Sequence, residues 1–112
     1  MDCIFCKIIA GEIPSKKVYE DDEIYAFYDI NPQAPTHILV IPKKHISSMA
    51  EVNAENIDTV AHLMKMIPII AKDAQLEGGF RIVSNAGDDA CQSVHHLHFH
   101  ILGGRKLSET MA

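Results

Sequence analysis

The sequence predicts an α+β fold, with one main helix and four or five short strands that are mostly joined as hairpins. Three observations carry this prediction. Residues 54–76 repeat apolar side chains at helical spacing, whereas the other apolar segments are short and separated by turn residues. The chain has 112 residues, which is the usual size of one folding unit. We therefore expect a single α+β domain over residues 1–112.

The N-terminal half is expected to form a short helix and three strands. Residues 3–9 are apolar at helical spacing, and Gly11 behind them favours a helix end. Strands are predicted at residues 18–20, 23–29 and 36–41. The third is the clearest, because Thr-His-Ile-Leu-Val-Ile is β-branched and strongly apolar.

The C-terminal half is expected to form the main helix and two further strands. Asn53 is the predicted N-cap of a helix over residues 54–76, and Pro68 predicts a kink or a break inside it. Strands are predicted at residues 80–84 and 94–102. The helix face predicted to be buried consists of Ile57, Val60, Ala61, Met64, Ile67, Ile70 and Ala71.

Composition and charge exclude several classes of protein. A hydrophobic content of 47% argues against disorder, and no apolar run reaches the ~20 residues that a membrane span needs. The net charge of −5 argues against a nucleic-acid polymer as partner, since such a partner requires a basic face. The first seven residues include an acid and lack a basic leader, so we expect a cytoplasmic protein without a membrane association.

Histidines are concentrated in one predicted strand, Val-His-His-Leu-His-Phe-His over residues 94–100. Side chains alternate along a strand, so His96, His98 and His100 should share one face and His95 should lie on the core side. Three interpretations remain open: a polar strand face made of imidazoles, a metal site, and nucleophilic catalysis by a neutral imidazole. The first is disfavoured, because solvent faces normally also carry Lys, Glu and Thr.

Cys3 and Cys6 form a C-x-x-C pair, while Cys91 stands alone. Three cysteines are an odd number for a disulfide framework. The spacing of Cys3 and Cys6 is typical of metal binding or of redox chemistry, and it also arises without either function.

The histidine pattern resembles the signature of the histidine-triad (HIT) superfamily, in which three histidines alternate with apolar residues. Further segments resemble its HINT (nucleoside phosphoramidase) branch, and together they cover the chain up to about residue 105. These segments are Ile-Phe-x-Lys-Ile-Ile from residue 4, Gly-Glu-Ile-Pro from residue 11, Asp-Ile-Asn-Pro-Gln-Ala-Pro-Thr-His from residue 29, Val-Ile-Pro-Lys-Lys-His from residue 40 and Gln-Ser-Val from residue 92. The resemblance implies a mostly antiparallel five-stranded sheet, one main helix and a short N-terminal helix.

The resemblance also implies an activity. It makes His98 the nucleophile that attacks the α-phosphorus of a purine nucleoside phosphoramidate, forming a nucleotidyl-histidine intermediate and releasing a nucleoside monophosphate. His100 and Ser93 are expected around the phosphate with Asn85 nearby, and His37 is expected to support them. Asp29 matches the residue that holds the ribose hydroxyls. The apolar slot for the base corresponds to Ile4, Phe5, Ile8, Phe27 and Ile30. An alternative is a nucleotide-binding regulatory module with little catalysis.

The resemblance to bacterial members that bind structural zinc concerns four residues. They are Cys3, Cys6, His45 and His96, a set that would close a tetrahedral Cys₂His₂ site. No organic cofactor is expected. A homodimer is expected, because residues 54–76 carry more apolar surface than one sheet face can cover. The residues beyond the main apolar stripe are Leu63, Met66 and Ile69.

Overall fold

A computed structural model describes residues 3–112 of the chain. Met1 and Asp2, which belong to the segment used to argue against a leader, lie outside the described residues. The elements in chain order are α1 (Ile4–Ile9), β1 (Lys17–Glu20), β2 (Ile24–Tyr28), β3 (Thr36–Pro42), α2 (Ile57–Asp73), β4 (Phe80–Val83) and β5 (Phe99–Gly103). The strands form one sheet in the order β1-β2-β3-β5-β4, and each neighbouring pair is antiparallel. The predicted α+β class, five-stranded sheet, main helix and short N-terminal helix are confirmed.

The sheet separates two apolar clusters, one on each face. The larger cluster lies between the sheet and α2, and includes Ile38, Val40 and Leu63. The smaller one lies between the sheet and α1, where Phe5 and Ile8 of the helix meet Phe27 and other sheet residues. Because β3 is covered on both faces, it is an almost continuously buried apolar strand. None of the helices in residues 3–112 is long and apolar enough to cross a membrane.

The helix α2 differs from its prediction at both ends and at Pro68. Two asparagines precede its first turn and hydrogen-bond to each other. The side chain of Asn53 accepts from the amide of Asn56 at 3.2 Å, and the side chain of Asn56 accepts from the amide of Asn53 at 2.8 Å. This reciprocal arrangement satisfies amides that a helix start leaves open, and regular helix begins at Ile57. The helix continues through Pro68 without a break and ends at Asp73.

The predicted buried face of α2 is partly wrong. Val60, Ile67, Ile70 and Ala71 are buried as predicted, together with Leu63, which the sequence had placed outside the main stripe. Exposed instead are Ile57, Ala61 and Met64. The helix carries apolar residues on two adjacent stripes, so its periodicity could not determine which stripe faces the sheet.

The last strand begins at Phe99, five residues later than predicted. Before it, Leu97 donates its amide to the carbonyl of Ile46 at 2.6 Å, and the Gln92 side chain donates to Ser47 and Val94 carbonyls. These bonds tie residues 92–98 to the segment after β3. His95, predicted to face the core, is exposed because the regular alternation of a strand does not extend that far.

Candidate active site and metal site

A cavity of about 250 Å³ lies beside the α1 face of the sheet. It brings together residues that are far apart in the sequence: Ile4, Phe5, Ile8, Ile13, Pro14, Ser15, Phe27, Tyr28, Asp29, Ile30, Leu39, Ser93, Val94, His98 and His100. All predicted nucleotide-site residues are in this set except Asn85, which follows β4 and is half-buried. The cavity is therefore apolar along most of its length and carries imidazoles, a carboxylate and hydroxyls at defined positions.

His98 is buried at one end of the cavity, and its proton position is fixed by the backbone. Its Nδ1 lies 2.7 Å from the carbonyl oxygen of His96. A carbonyl can only accept, so Nδ1 carries the hydrogen and Nε2 keeps a free lone pair. The ring meets the edge of Phe5, with centroids 5.1 Å apart, which holds the imidazole plane. An imidazole in this state is able to act as a nucleophile through Nε2.

His37 and His100 are linked by a hydrogen bond, and the tautomer of each ring is fixed by its partners. The amide of Gln33 donates to Nδ1 of His37 at 3.0 Å, so Nε2 of His37 must carry the hydrogen and donate to Nδ1 of His100 at 2.8 Å. Nε2 of His100 is then a donor. Burial, reinforced by the neighbouring His98 and His37, lowers the pKa of His100 to about 4, and burial also lowers the pKa of His37. Both rings are therefore neutral at pH 7.

Asp29 lies beside His37 at the end of β2. One carboxylate oxygen accepts from the amide of Asn31 at 2.8 Å, and the other lies 3.5 Å from Nε2 of His37. The carboxylate also lines the cavity, so it retains lone pairs that can accept hydrogen bonds from a ligand.

The loop that carries Ser93 is held by the side chain of Gln92, whose structural role the Gln-Ser-Val motif alone does not reveal. The buried Gln92 side chain accepts from the amide of Gly87 at 2.8 Å and donates to two carbonyls. Ser93 is exposed and lines the cavity near His98. The hydroxyl of Ser84 donates to the carbonyl of His98 at 2.8 Å and fixes the backbone there.

Behind His98, the predicted zinc ligands converge. Potential ligand atoms of Cys3, Cys6, His45 and His96 all lie within 4.8 Å of one another. Nδ1 of His96 is 3.3 Å from Sγ of Cys3, 3.5 Å from Sγ of Cys6 and 3.2 Å from Nδ1 of His45. Sγ of Cys6 is 3.4 Å from Nδ1 of His45.

This donor set fits Zn²⁺. Tetrahedral bonds of about 2.0–2.3 Å would place two nitrogens and two sulfurs about 3.3–3.8 Å apart, close to the distances found. Nε2 of His96 donates to the carbonyl of Pro42 at 2.8 Å, so Nδ1 offers its lone pair to the other donors. Burial, with the neighbouring Cys3, raises the pKa of the Cys6 thiol to about 11, and a bound cation would supply the charge that a thiolate needs.

The three histidines of the repeated pattern thus do not share one ion. His96 belongs to the Cys₂His₂ group, His100 lies in a separate group with Asp29 and His37, and His98 is in neither group among the described residues. In residues 3–112, this separation gives no support to a hydrolase in which all three histidines bind one metal.

Comparisons with known proteins agree with this architecture. The chain is 49% identical to the 14 kDa zinc-binding protein of Zea mays over 107 residues, which are 94% of this chain and 84% of the relative. It is 46% identical to adenylylsulfatase HINT1 of Arabidopsis thaliana over 107 residues, 94% of this chain and 73% of that protein.

A solved structure gives the same result. The HIT family hydrolase from Clostridium thermocellum superimposes with a TM-score of 0.95 at 42% identity, covering 99% of this chain and 97% of that one. The family model described as the HIT domain matches residues 10–107. The resemblance expected from the sequence is therefore confirmed, and the chain belongs to the HIT family.

Proposed function

We propose that this chain is a nucleotide hydrolase that cleaves purine nucleoside phosphoramidates and related nucleotide derivatives. The observation that carries the proposal is the fixed tautomer of His98: its Nδ1 is committed to the carbonyl of His96, which leaves Nε2 as a nucleophile at the end of an apolar cavity. A mostly apolar cavity that ends in imidazoles suits a flat base joined to a phosphate.

The cavity suggests how such a substrate binds. The base packs against the wall that contains Phe5 and Phe27, whose rings contact each other edge to face. Asp29 accepts hydrogen bonds from the ribose hydroxyls, and the α-phosphate lies at His98 and His100. Nε2 of His100 donates to a phosphate oxygen, and Ser93 donates from the loop. His37 does not line the cavity, so it acts through His100 as a positioning residue.

The reaction has two displacements at phosphorus. Nε2 of His98 forms a bond to the α-phosphorus while the bond to the leaving nitrogen breaks, and the leaving group takes up a proton and departs as an amine. The imidazole in the adduct is positively charged, and the carbonyl of His96 stabilises that charge through Nδ1–H. Water then attacks phosphorus, loses a proton and releases the nucleoside monophosphate, which restores the lone pair of Nε2.

The relatives support this reaction class. One is named as an adenylylsulfatase and another as a hydrolase, at 46% and 42% identity over most of this chain. A nucleophile that forms a bond to phosphorus can serve several leaving groups, because the groups that hold the nucleotide do not depend on them.

We also propose that Cys3, Cys6, His45 and His96 hold a structural Zn²⁺. The donor distances and the name of the relative from Zea mays support this assignment. These four residues would, with an ion bound, link α1 to the segments that follow β3 and precede β5 and would hold the backbone of His96, whose carbonyl accepts from His98.

A homodimer is a further proposal. Five large apolar side chains between 38% and 47% exposed lie on α2 and on the edge strand β4, namely Ile57, Met64, Ile69, Phe80 and Ile82. A second copy is the occupant that fits, since an edge strand can pair with its own two-fold copy in antiparallel register.

The test of the hydrolase proposal is turnover of adenosine 5′-phosphoramidate by wild type and by His98→Ala. Loss of the nucleophile should reduce kcat by at least about 10³-fold, with AMP binding largely retained. His62→Ala is the matched control, because His62 bonds to Asp21 on α2's side of the sheet and should leave turnover unchanged. A His98→Ala enzyme with more than about a tenth of the wild-type rate would overturn the assignment.

Mass spectrometry of a rapidly quenched single turnover should also show a nucleotidyl adduct on wild type. Absence of both turnover and adduct, with AMP still bound, would instead support a nucleotide-binding regulatory module.

A further inference from the structure

A pair of hydroxyl groups lies at the apolar wall of the cavity, where Ser15 lines the cavity and Tyr25 is buried behind it. The Oγ of Ser15 lies 2.6 Å from the hydroxyl oxygen of Tyr25. Ser15 is half-buried and lines the cavity, and the Tyr25 side chain is only 8% exposed and packs in the cluster of Phe5, Ile8 and Phe27. We infer that Ser15, oriented by Tyr25, is a specificity residue that hydrogen-bonds to the polar edge of a purine base. The inference rests on the proposed function, because it assumes a nucleotide in this cavity.

The sheet register places this pair at the opposite end of the cavity from the phosphate. Cα partners run in one row across four strands, from His100 to Leu39, then to Phe27 and then to Lys17. Three strand spacings make this row about 14 Å long. Ser15 precedes Lys17 by two residues, so a nucleotide with its phosphate at His100 extends its base along the row towards Ser15. A purine reaches further along the row than a pyrimidine, by the width of its second ring.

The hydroxyl of Ser15 can still hydrogen-bond to a ligand while it is bonded to Tyr25. The phenol of Tyr25 is a stronger acid than the hydroxyl of Ser15. In residues 3–112, Ser15 is the hydrogen-bond partner found for the Tyr25 hydroxyl. Tyr25 therefore donates to Ser15, because a buried O–H without an acceptor is costly. Ser15 then keeps its own hydrogen as a donor and one lone pair as an acceptor.

This combination matches a base edge that has an acceptor beside a donor. In adenine the ring nitrogen N1 and the 6-amino group form such an edge. A purine without the 6-substituent offers only the acceptor, and the other walls near Ser15 are apolar, contributed by Ile8, Ile13 and Phe27. Ser15 consequently favours purines that carry a hydrogen-bonding group at position 6.

The test compares two substrates that differ only at position 6 of the purine. They are adenosine 5′-phosphoramidate and the 5′-phosphoramidate of unsubstituted purine riboside. Ser15→Ala should lower kcat/KM for the adenosine substrate about three- to tenfold more than for the unsubstituted substrate, mainly through KM, because only the adenosine substrate loses the additional hydrogen bond from its 6-amino group. The unsubstituted substrate loses only the hydrogen bond between Ser15 and N1, so its kcat/KM should fall by the smaller factor. Tyr25→Phe should produce the same base-dependent loss, because it removes the group that orients Ser15.

Tyr19→Phe is the matched control, since the Tyr19 hydroxyl bonds to Asp21 and lies outside the cavity. Equal losses for both substrates would assign Ser15 and Tyr25 a purely structural role, and no loss for either would also overturn the inference.

Calorimetric binding of AMP and of purine riboside 5′-monophosphate separates this inference from the hydrolase proposal, because binding needs no turnover. A wild type without turnover that still prefers AMP, with the preference lost in Ser15→Ala, would retain the inference and overturn the hydrolase. Failure of wild type to bind AMP at millimolar concentration would overturn both.

Discussion

Three histidines within five residues have different chemistry because each has a different hydrogen-bond partner. His96 donates from Nε2 to the carbonyl of Pro42 and turns Nδ1 towards the cysteines. His98 donates from Nδ1 and leaves Nε2 free. His100 accepts at Nδ1 from His37, so its Nε2 is a donor. Residue type alone does not specify these states; the backbone carbonyls and the Gln33 amide select them.

A pH prediction follows from His100. Its pKa is lowered from 6.5 to about 4 by burial, so the unfolded chain binds more protons than the folded one between these values. Stability from the neutral ring is therefore fully present above pH 6.5 and is lost as pH falls towards 4. The free energy of unfolding in urea, measured at pH 7 and pH 4.5, should fall by about 1–2 kcal/mol more in wild type than in His100→Asn.

The comparison removes the effect of metal release in acid. Both proteins retain Cys3, Cys6, His45 and His96, so loss of a bound ion would affect them alike. Equal acid losses in the two proteins would show that the ring of His100 is not held neutral by burial.

Most residues that the family pattern implies for the nucleotide site line one cavity, whereas isolated residues of common types could not be predicted to do so. His98, His100, Asp29 and Ser93 line one cavity as the family pattern implies. Ser15 and Tyr28 line it as well, but an isolated serine or tyrosine near a strand carries no sequence signal that separates it from ordinary surface or core. The prediction that His95 faces the core is wrong, because strand alternation begins only at Phe99, the first residue of β5.

At the scale of elements, α1 has two functions that share one helix. Its apolar side chains Ile4, Phe5 and Ile8 line the cavity, and Cys3 and Cys6 at its start belong to the candidate zinc site. Cys3 is also the N-cap, since its Sγ accepts from the amide of Cys6 at 3.4 Å. A six-residue helix is too short to be stable alone, so its position depends on these contacts.

The zinc prediction uses this double role. Purified wild type should contain close to one zinc per chain by elemental analysis, and Cys3→Ser should lose it. Serine is a good N-cap, so this variant removes a metal ligand while retaining the cap. The thermal midpoint should fall by at least about 4–8 °C, as for a loss of ~1 kcal/mol, and KM for nucleotides should rise because α1 forms one wall of the cavity.

Cys91→Ser is the control, since Cys91 is exposed and outside the ligand group. Zinc-free wild type that is as stable as zinc-loaded protein would refute the site.

The boundaries of β3 and β5 differ in how well the sequence predicts them. β3 could be predicted to within one residue, because it is buried on both faces and its apolar run is nearly unbroken. The start of β5 could not, because residues 92–98 are held by the amide of Leu97 and the side chain of Gln92 rather than by a sheet ladder. Such tertiary hydrogen bonds do not require a periodic pattern of apolar residues, so the sequence does not indicate them.

At the scale of the whole molecule, the two faces of the sheet differ: one packs against α2 in the larger apolar cluster, and the other carries the cavity. The face covered by α2 contains the larger apolar cluster, and the face beside α1 carries the cavity and the metal ligands. Neighbouring residues in β5 serve opposite faces: Phe99 and Ile101 pack in the α2 cluster, while His100 lines the cavity. The residues that line the cavity are therefore held by the sheet without forming part of the larger apolar cluster.

The same architecture leaves an apolar surface that one chain does not cover. Phe80 and Ile82 alternate along the edge strand β4 and are 38% and 44% exposed, and exposed α2 residues extend the apolar surface. An exposed edge strand with apolar side chains is an aggregation hazard unless it is paired. A standard interface would cover about 800 Å² per protomer, roughly a tenth of the 7058 Å² surface of this chain.

We therefore predict a two-fold symmetric dimer in solution. Sedimentation equilibrium at micromolar concentration should give twice the chain mass of 12.4 kDa. Ile82→Glu should shift the protein towards monomer, because two-fold pairing places like charges and buried carboxylates at one interface. Ile30→Glu is the matched control: Ile30 is 91% exposed and lines the cavity beside α1, away from β4 in the sheet order, so this change should leave the dimer intact. A single 12.4 kDa species for wild type would rule out the dimer, and dissociation by both variants would place the interface elsewhere.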